Sequence, residues 1–160
     1  MLTSASSLDS WFRESGMVDG DTGSRPSDVP KAVALREAIH SLIATRLANE
    51  GYDESSLSLV NETARTPCTI PQLTAVGRRI DATPEQAMSS VARAAIDILS
   101  GPDAQLLKEC GRPECTQVYI DRSRGARRDW CSTKCRHRVN AAAYRARKRE
   151  DHSRPVTTRP

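Results

Sequence analysis

Aromatic side chains are scarce in this chain: one Phe, two Trp and three Tyr among 160 residues. A core therefore has to rest on Leu, Ile, Val and Ala. Long apolar runs are missing too. No stretch approaches the roughly 18 apolar residues that a membrane-spanning helix needs, and the opening "MLTSASSLDSWF" lacks the basic start and apolar stretch of a secretory leader. The expectation is a cytoplasmic protein. There is no glycine loop of the phosphate-cradling kind, and no arrangement of Ser, His and acid that would make a nucleophile, so an enzyme is not expected. In a reducing compartment, clustered cysteines point to metal ligation rather than to disulfides.

Charge is present, but unevenly. Residues 1–107 carry 9 Lys and Arg against 14 Asp and Glu, whereas residues 108–160 carry 15 against 6. A modest +4 for the whole chain thus hides an acidic first part and a basic second part. Such asymmetry marks a segment that meets a polyanion. The division we expect is a helical domain over 1–104, a small module over 105–150 and a disordered basic end over 151–160.

Within the first part, apolar residues recur at helical spacing. "LDSWFRESGM" reads as a short helix with Leu8, Trp11 and Phe12 on one face and Gly16 as its stop. A longer helix follows, with Asp28 as candidate N-cap, Leu35, Ile39, Leu42, Ile43 and Leu47 on its stripe, and Gly51 after its end. A third is expected over Glu54 to Ala64, and weakly signalled extended or hairpin structure over 66–82. In "TPEQAMSSVARAAIDILSGP", Thr83 caps, Pro84 takes the first position, Gln86 completes a capping box and Gly101 ends the helix. These stripes read as the core of a bundle; His40 and Met88 are given no chemical role.

Four of the five cysteines fall together. Cys110 and Cys115 are spaced C-x4-C, and Cys131 and Cys135 follow as C-x3-C after 15 intervening residues. Two such pairs on separate turns can converge four thiolates on one tetrahedral zinc ion. "CGRPEC" suits a tight knuckle, "TQVYID" alternates like a strand, "RSRGA" is a turn and "RRDWC" is expected to return as the partner strand. Ser132 then caps a helix that carries Cys135. Knuckle, β-hairpin and α-helix in that order describe a treble-clef-like zinc finger with four cysteine ligands, so the fold class is mainly α with this small finger at the C-terminal end. His137 is the rival ligand, but four cysteines close the site. Cys68 stands apart as a free thiol. A closed site has no position for a reacting water, and the zinc is expected to act on folding.

Behind the ligands the helix is basic. Lys134, Arg138, Arg145, Lys148 and Arg149 lie towards one side, and Val139, Ala142, Ala143 and Ala146 make a narrow apolar side. The turn before it adds Arg122, Arg124, Arg127 and Arg128, and Arg136 and Arg147 complete the candidate nucleic-acid contacts on the helix. Like charges so spaced repel. Double-stranded DNA is the expected counter-charge; a solvated surface, docking on the acidic first domain, and an adaptor for RNA or protein remain the alternatives.

The segment "CGRPECTQVYIDRSRGARRDWCSTKCRHRVNAAAYRARKR" resembles the CGNR zinc finger. Tyr119, Asp121, Ser123, Arg124, Arg127, Arg128, Trp130, Cys131, Ser132, Cys135, Arg138, Tyr144, Arg145 and Arg147 stand at matching places. Upstream, "LREAIHSLI", "LSLVN" and "VARAAIDILSG" are similar to the helical ABATE domain that precedes this finger. The resemblance implies a bacterial, cytoplasmic, DNA-binding regulator of transcription; the helical domain is expected to sense a ligand, form a homodimer or contact a protein partner, and the sequence does not choose among these. Three departures stand out. Arg136 and His137 replace the Gly-Asn of the signature, adding charge; Asp129 is one extra residue in the hairpin return, where a bulge is expected; and the chain begins inside the usual ABATE pattern, so that a short or differently closed first domain is expected.

Overall fold

Local capping decides where most of the helices begin. Ser4 and Ser7 form a reciprocal box at the start of α1 (Ala5–Glu14), and Thr83 and Gln86 do the same for α4 (Pro84–Ser100), with proline in its first turn. Asp53 caps α3 (Glu54–Arg65) by accepting from the Ser56 N–H at 2.8 Å. In the computed structural model, residues 2–152 are described, with side chains as far as Arg149.

The start of α2 (Asp28–Leu47) differs from expectation. Ser27 holds the cap position without a side-chain bond, and Asp28 is the first helical residue. Its buried carboxylate instead accepts from the Arg25 N–H at 2.9 Å and pairs with Lys31 at 3.0 Å. It therefore ties the preceding turn to the helix. At the other end Asn49 adopts the left-handed conformation (φ 56°), two residues before the glycine expected to end the helix. Trp11 also departs from the reading: Leu8 and Phe12 are fully buried, but Trp11 lies off their i, i+4 ridge and stays 41% exposed.

The chain divides after Gln105 into two units. In the first, α2, α3 and α4 pack on one another and α1 packs on α2. Leu8, Phe12, Leu35, Leu42, Val60, Ala87 and Ala92 are among its buried core residues. Two short antiparallel strands, β1 (Gln72–Thr74) and β2 (Gly77–Arg79), form the hairpin expected within 66–82. A 3-10 turn (Pro102–Leu106) follows α4.

The second unit contains β3 (Leu107–Glu109), β4 (Val118–Ile120) and α5 (Thr133–His152). A hairpin is present, but its strands are not the expected pair. β4 pairs with β3 ahead of the knuckle, in the register Leu107 to Ile120, Lys108 to Tyr119 and Glu109 to Val118. "RRDWC" is not a strand, so the bulge expected at Asp129 has no ladder in which to form. Of the end expected to be disordered, Asp151 and His152 extend α5, and residues 153–160 lie outside the described residues. No helix among the described residues is long and apolar enough to cross a membrane.

Candidate metal centre and basic helix

The knuckle sits at the tip of the β3–β4 hairpin, which fixes its two cysteines from both flanks. The Cys110 N–H donates to Gln117 O at 3.0 Å, just beyond the last ladder pair, and the Cys115 N–H donates to Arg112 O at 3.1 Å to close the turn. Glu114 takes a left-handed conformation (φ 65°) within it. Gly111 lets a second segment approach: its N–H donates to Asp129 O at 2.7 Å, and a Cβ there would stand 3.1 Å from that oxygen. The inserted Asp129 thus contributes its backbone to the knuckle. The other two thiols come from the helix start, where Ser132 Oγ accepts from the Cys135 N–H at 3.3 Å and sets the first turn of α5.

The four sulfurs converge. Their Sγ atoms all lie within 4.8 Å of one another, with Cys131 to Cys135 at 3.6 Å, Cys115 to Cys135 at 3.9 Å and Cys115 to Cys131 at 4.0 Å. A tetrahedron with metal–sulfur bonds of about 2.3 Å has edges of about 3.8 Å, so the donor set fits one four-coordinate divalent ion. All four thiols are free of disulfides. Burial works against ionising Cys135, but Ser132, Cys131, Arg112 and Cys115 outweigh it and bring the thiol down to about 6. Burial, then Cys135 and Cys110, push Cys131 up to about 11. Neighbouring thiols cannot all ionise near neutral pH by themselves; a bound divalent cation deprotonates every ligand. Cys110, Cys115, Cys131 and Cys135 therefore form a metal-binding site. His137 is exposed and outside the cluster, and Cys68 is half-buried and apart from it.

The segment joining the two pairs is held by side chains in place of a second strand pairing. Asp121 is fully buried at the end of β4. Its carboxylate accepts from Ser123 Oγ at 2.6 Å, the Ser123 N–H at 3.1 Å and the Arg128 N–H at 2.8 Å, and pairs with Lys108 Nζ at 3.0 Å. Burial would raise its pKa, but the Ser123 hydroxyl, Lys108 and the Arg128 N–H hold it well below the ordinary carboxylate value. Lys108 also donates to the carbonyl of Ala126, and Tyr119 Oη donates to Arg128 O at 2.6 Å. Asp121→Asn removes the charge while keeping the shape; the metal-loaded chain is expected to show a lower melting temperature for the finger alone, read by NMR, with the helical unit unmoved. An unchanged finger transition would show the cage to be incidental.

The candidate nucleic-acid residues Arg124, Arg127, Arg128, Lys134, Arg136, Arg138, Arg145, Arg147, Lys148 and Arg149 are all exposed. Lys134, Arg138 and Arg145 come together along one face of α5, bordering a concavity of about 490 Å³ with Thr133, His137 and Ala141. Arg127, Arg128 and Arg136 meet around Trp130 at the helix start, in a cleft of about 250 Å³. The residues that replace the family's Gly-Asn thus fall one in each group. Arg124 lies in the loop after β4, and Arg147, Lys148 and Arg149 on the last turns of α5. Arg128 has internal work as well: its guanidinium donates to Cys131 O at 2.8 Å and stands 5.2 Å from the Tyr119 ring centroid. Among the described residues, Arg124, Arg127, Lys134, Arg136, Arg138, Arg145 and Arg147 form no ion pair. The apolar side of α5 is buried only at its beginning: Val139 is half-buried, while Ala142, Ala143, Ala146 and Tyr144 are exposed.

Sequence reasoning passed over Lys108 and the role of Asp121, which hold the segment between the two cysteine pairs. No curated protein matches the chain. Two family models do: the CGNR zinc finger matches residues 107–148, and ABATE, described as "Putative stress-induced transcription regulator", matches residues 1–102. With that match covering most of its length and the four thiols converging behind it, the chain belongs to the ABATE family and ends in a CGNR zinc finger.

Proposed function

We propose that the protein is a cytoplasmic transcription regulator whose finger, folded around one zinc ion, binds double-stranded DNA through α5 and the arginine loop before it. The observation that carries this reading is that Lys134, Arg136, Arg138, Arg145 and Arg147, exposed and in no ion pair among the described residues, stand on a helix whose start is tied to the four-cysteine cluster. A helix of 20 residues extends about 30 Å, and beyond Val139 no described side chain of it is buried. Such a helix gains little from packing, and the repulsion among its cations is relieved by phosphates. Zinc suits four thiolates at these separations, and with all positions closed its role is structural rather than catalytic. The acidic helical unit would sense a ligand, dimerise or contact a protein partner.

Fluorescence anisotropy of the full chain on a mixed-sequence duplex, over a salt series, tests the proposal. Binding should weaken with a log-log slope of about −4 or steeper, corresponding to roughly four or more phosphate contacts. A zinc-loaded, folded chain that ignores duplex DNA at low salt, or that prefers single-stranded RNA or a protein, would replace this reading with that of an adaptor.

A further inference from the structure

One acid stands among the arginines at the start of α5. Asp129 borders the cleft of about 250 Å³ with Arg127, Arg128, Trp130 and Arg136, and it is exposed. Its carboxylate forms no ion pair with those cations and no hydrogen bond among the described residues. The side chain therefore holds nothing in the finger together. Its backbone, by contrast, is fixed. Asp129 O accepts from the Gly111 N–H of the knuckle at 2.7 Å. The residue before it is pinned at both ends, the Arg128 N–H by Asp121 at 2.8 Å and the Arg128 carbonyl by Tyr119 Oη at 2.6 Å. A free carboxylate on a rigid support is suited to meet a donor supplied from outside.

The chemistry of duplex DNA leaves such an acid few targets. A carboxylate accepts hydrogen bonds and cannot donate them; phosphates repel it, and deoxyribose within a strand has no donor to offer. Only base edges carry donors. The major groove, which admits a helix such as α5, shows two: the N4 amino group of cytosine and the N6 amino group of adenine. Adenine places the N7 acceptor beside N6, where it opposes a carboxylate, whereas cytosine presents its amino group without an acceptor in that groove. We infer that Asp129 is a specificity-determining residue that accepts from cytosine N4 while the arginines farther along α5 contact phosphates. The inference rests on the duplex-DNA reading above.

The test is selection of bound sites from a randomised duplex library by the full, zinc-loaded chain. Anisotropy then follows on the selected site and on versions with each base pair replaced in turn. Cytosine should be required at one position at least, its replacement weakening binding by about 5- to 100-fold. Asp129→Ala should remove the discrimination at that position alone and leave zinc content unchanged. Asp129→Asn should move the preference there from cytosine to adenine, because a side-chain amide accepts from N6 while donating to N7. A merely repulsive charge gives a different result: both variants bind every sequence more tightly by one common factor, with the base preferences unmoved. That outcome would overturn the inference, as would duplex binding with the salt slope given above but with no cytosine preference tied to Asp129. A folded chain that binds no duplex at low salt would instead overturn the DNA reading, and this inference with it.

Discussion

Stripping the metal with a chelator is expected to unfold the finger and to leave the helical unit folded. The buried apolar residues explain why. In the first unit, twelve buried side chains from Leu8 to Ala92 form one core, and capped helices surround it. In the second, the only buried apolar or sulfur-bearing residues among those described are Leu107, Cys110 and Cys135. Two of these three are ligands. Two three-residue strands cannot hold a domain of this size by burial alone, whereas zinc binding contributes about 10–16 kcal/mol in comparable small sites. Without the metal, the knuckle and the start of α5 lose their common anchor, and an isolated helix of largely like-charged residues is marginal in water. In NMR spectra recorded before and after chelation, resonances of residues 106–152 should collapse to unfolded positions while those of residues 2–105 stay. Cys135→Ser should reproduce the collapse without a chelator. A finger that keeps its dispersed resonances after zinc is verifiably gone would mean that burial and the Asp121 cage suffice, and the structural role of the metal would fall.

What the sequence made legible was local chemistry. The capping box of Thr83 and Gln86, the four ligands and the Ser132 cap each depend on residues within a few positions of one another, so spacing alone identifies them. The strand pairing was harder. Val118–Ile120 alternates as a strand should, but "LLKEC" is too short and too polar to stand out after Gly101 and Pro102. "RRDW" reads as the natural return because it follows a turn. Its backbone is instead engaged by Asp121 and Tyr119 side chains and by Gly111. Such side-chain pinning has no period and leaves no pattern in the sequence. Asp28 shows the same limit: an acidic residue before an apolar stripe signals a cap, yet its burial against Arg25 and Lys31 depends on the preceding turn.

Replacing Arg138 and Arg145 together with Ala should weaken DNA binding by roughly 10- to 100-fold at low salt and flatten the salt slope by about two units, since each phosphate contact contributes about 0.9. Both side chains are exposed, border the same concavity and pair with no acid. Alanine is the best helix former, so α5 should not suffer. Zinc content is therefore expected to be unchanged, which separates lost contacts from a lost fold. The control is Arg36→Ala with Arg46→Ala on α2, which removes the same net charge from the helical unit. If charge acts only through the overall field of the protein, both pairs should shift affinity alike and neither should alter the slope by two units. A slope change confined to the α5 pair would instead count phosphates at that helix, because counterion release registers contacts rather than net charge. The metal would then serve as the fixed end of a lever, with the direction in which Arg138 and Arg145 reach set by Cys135, about one and about three turns before them.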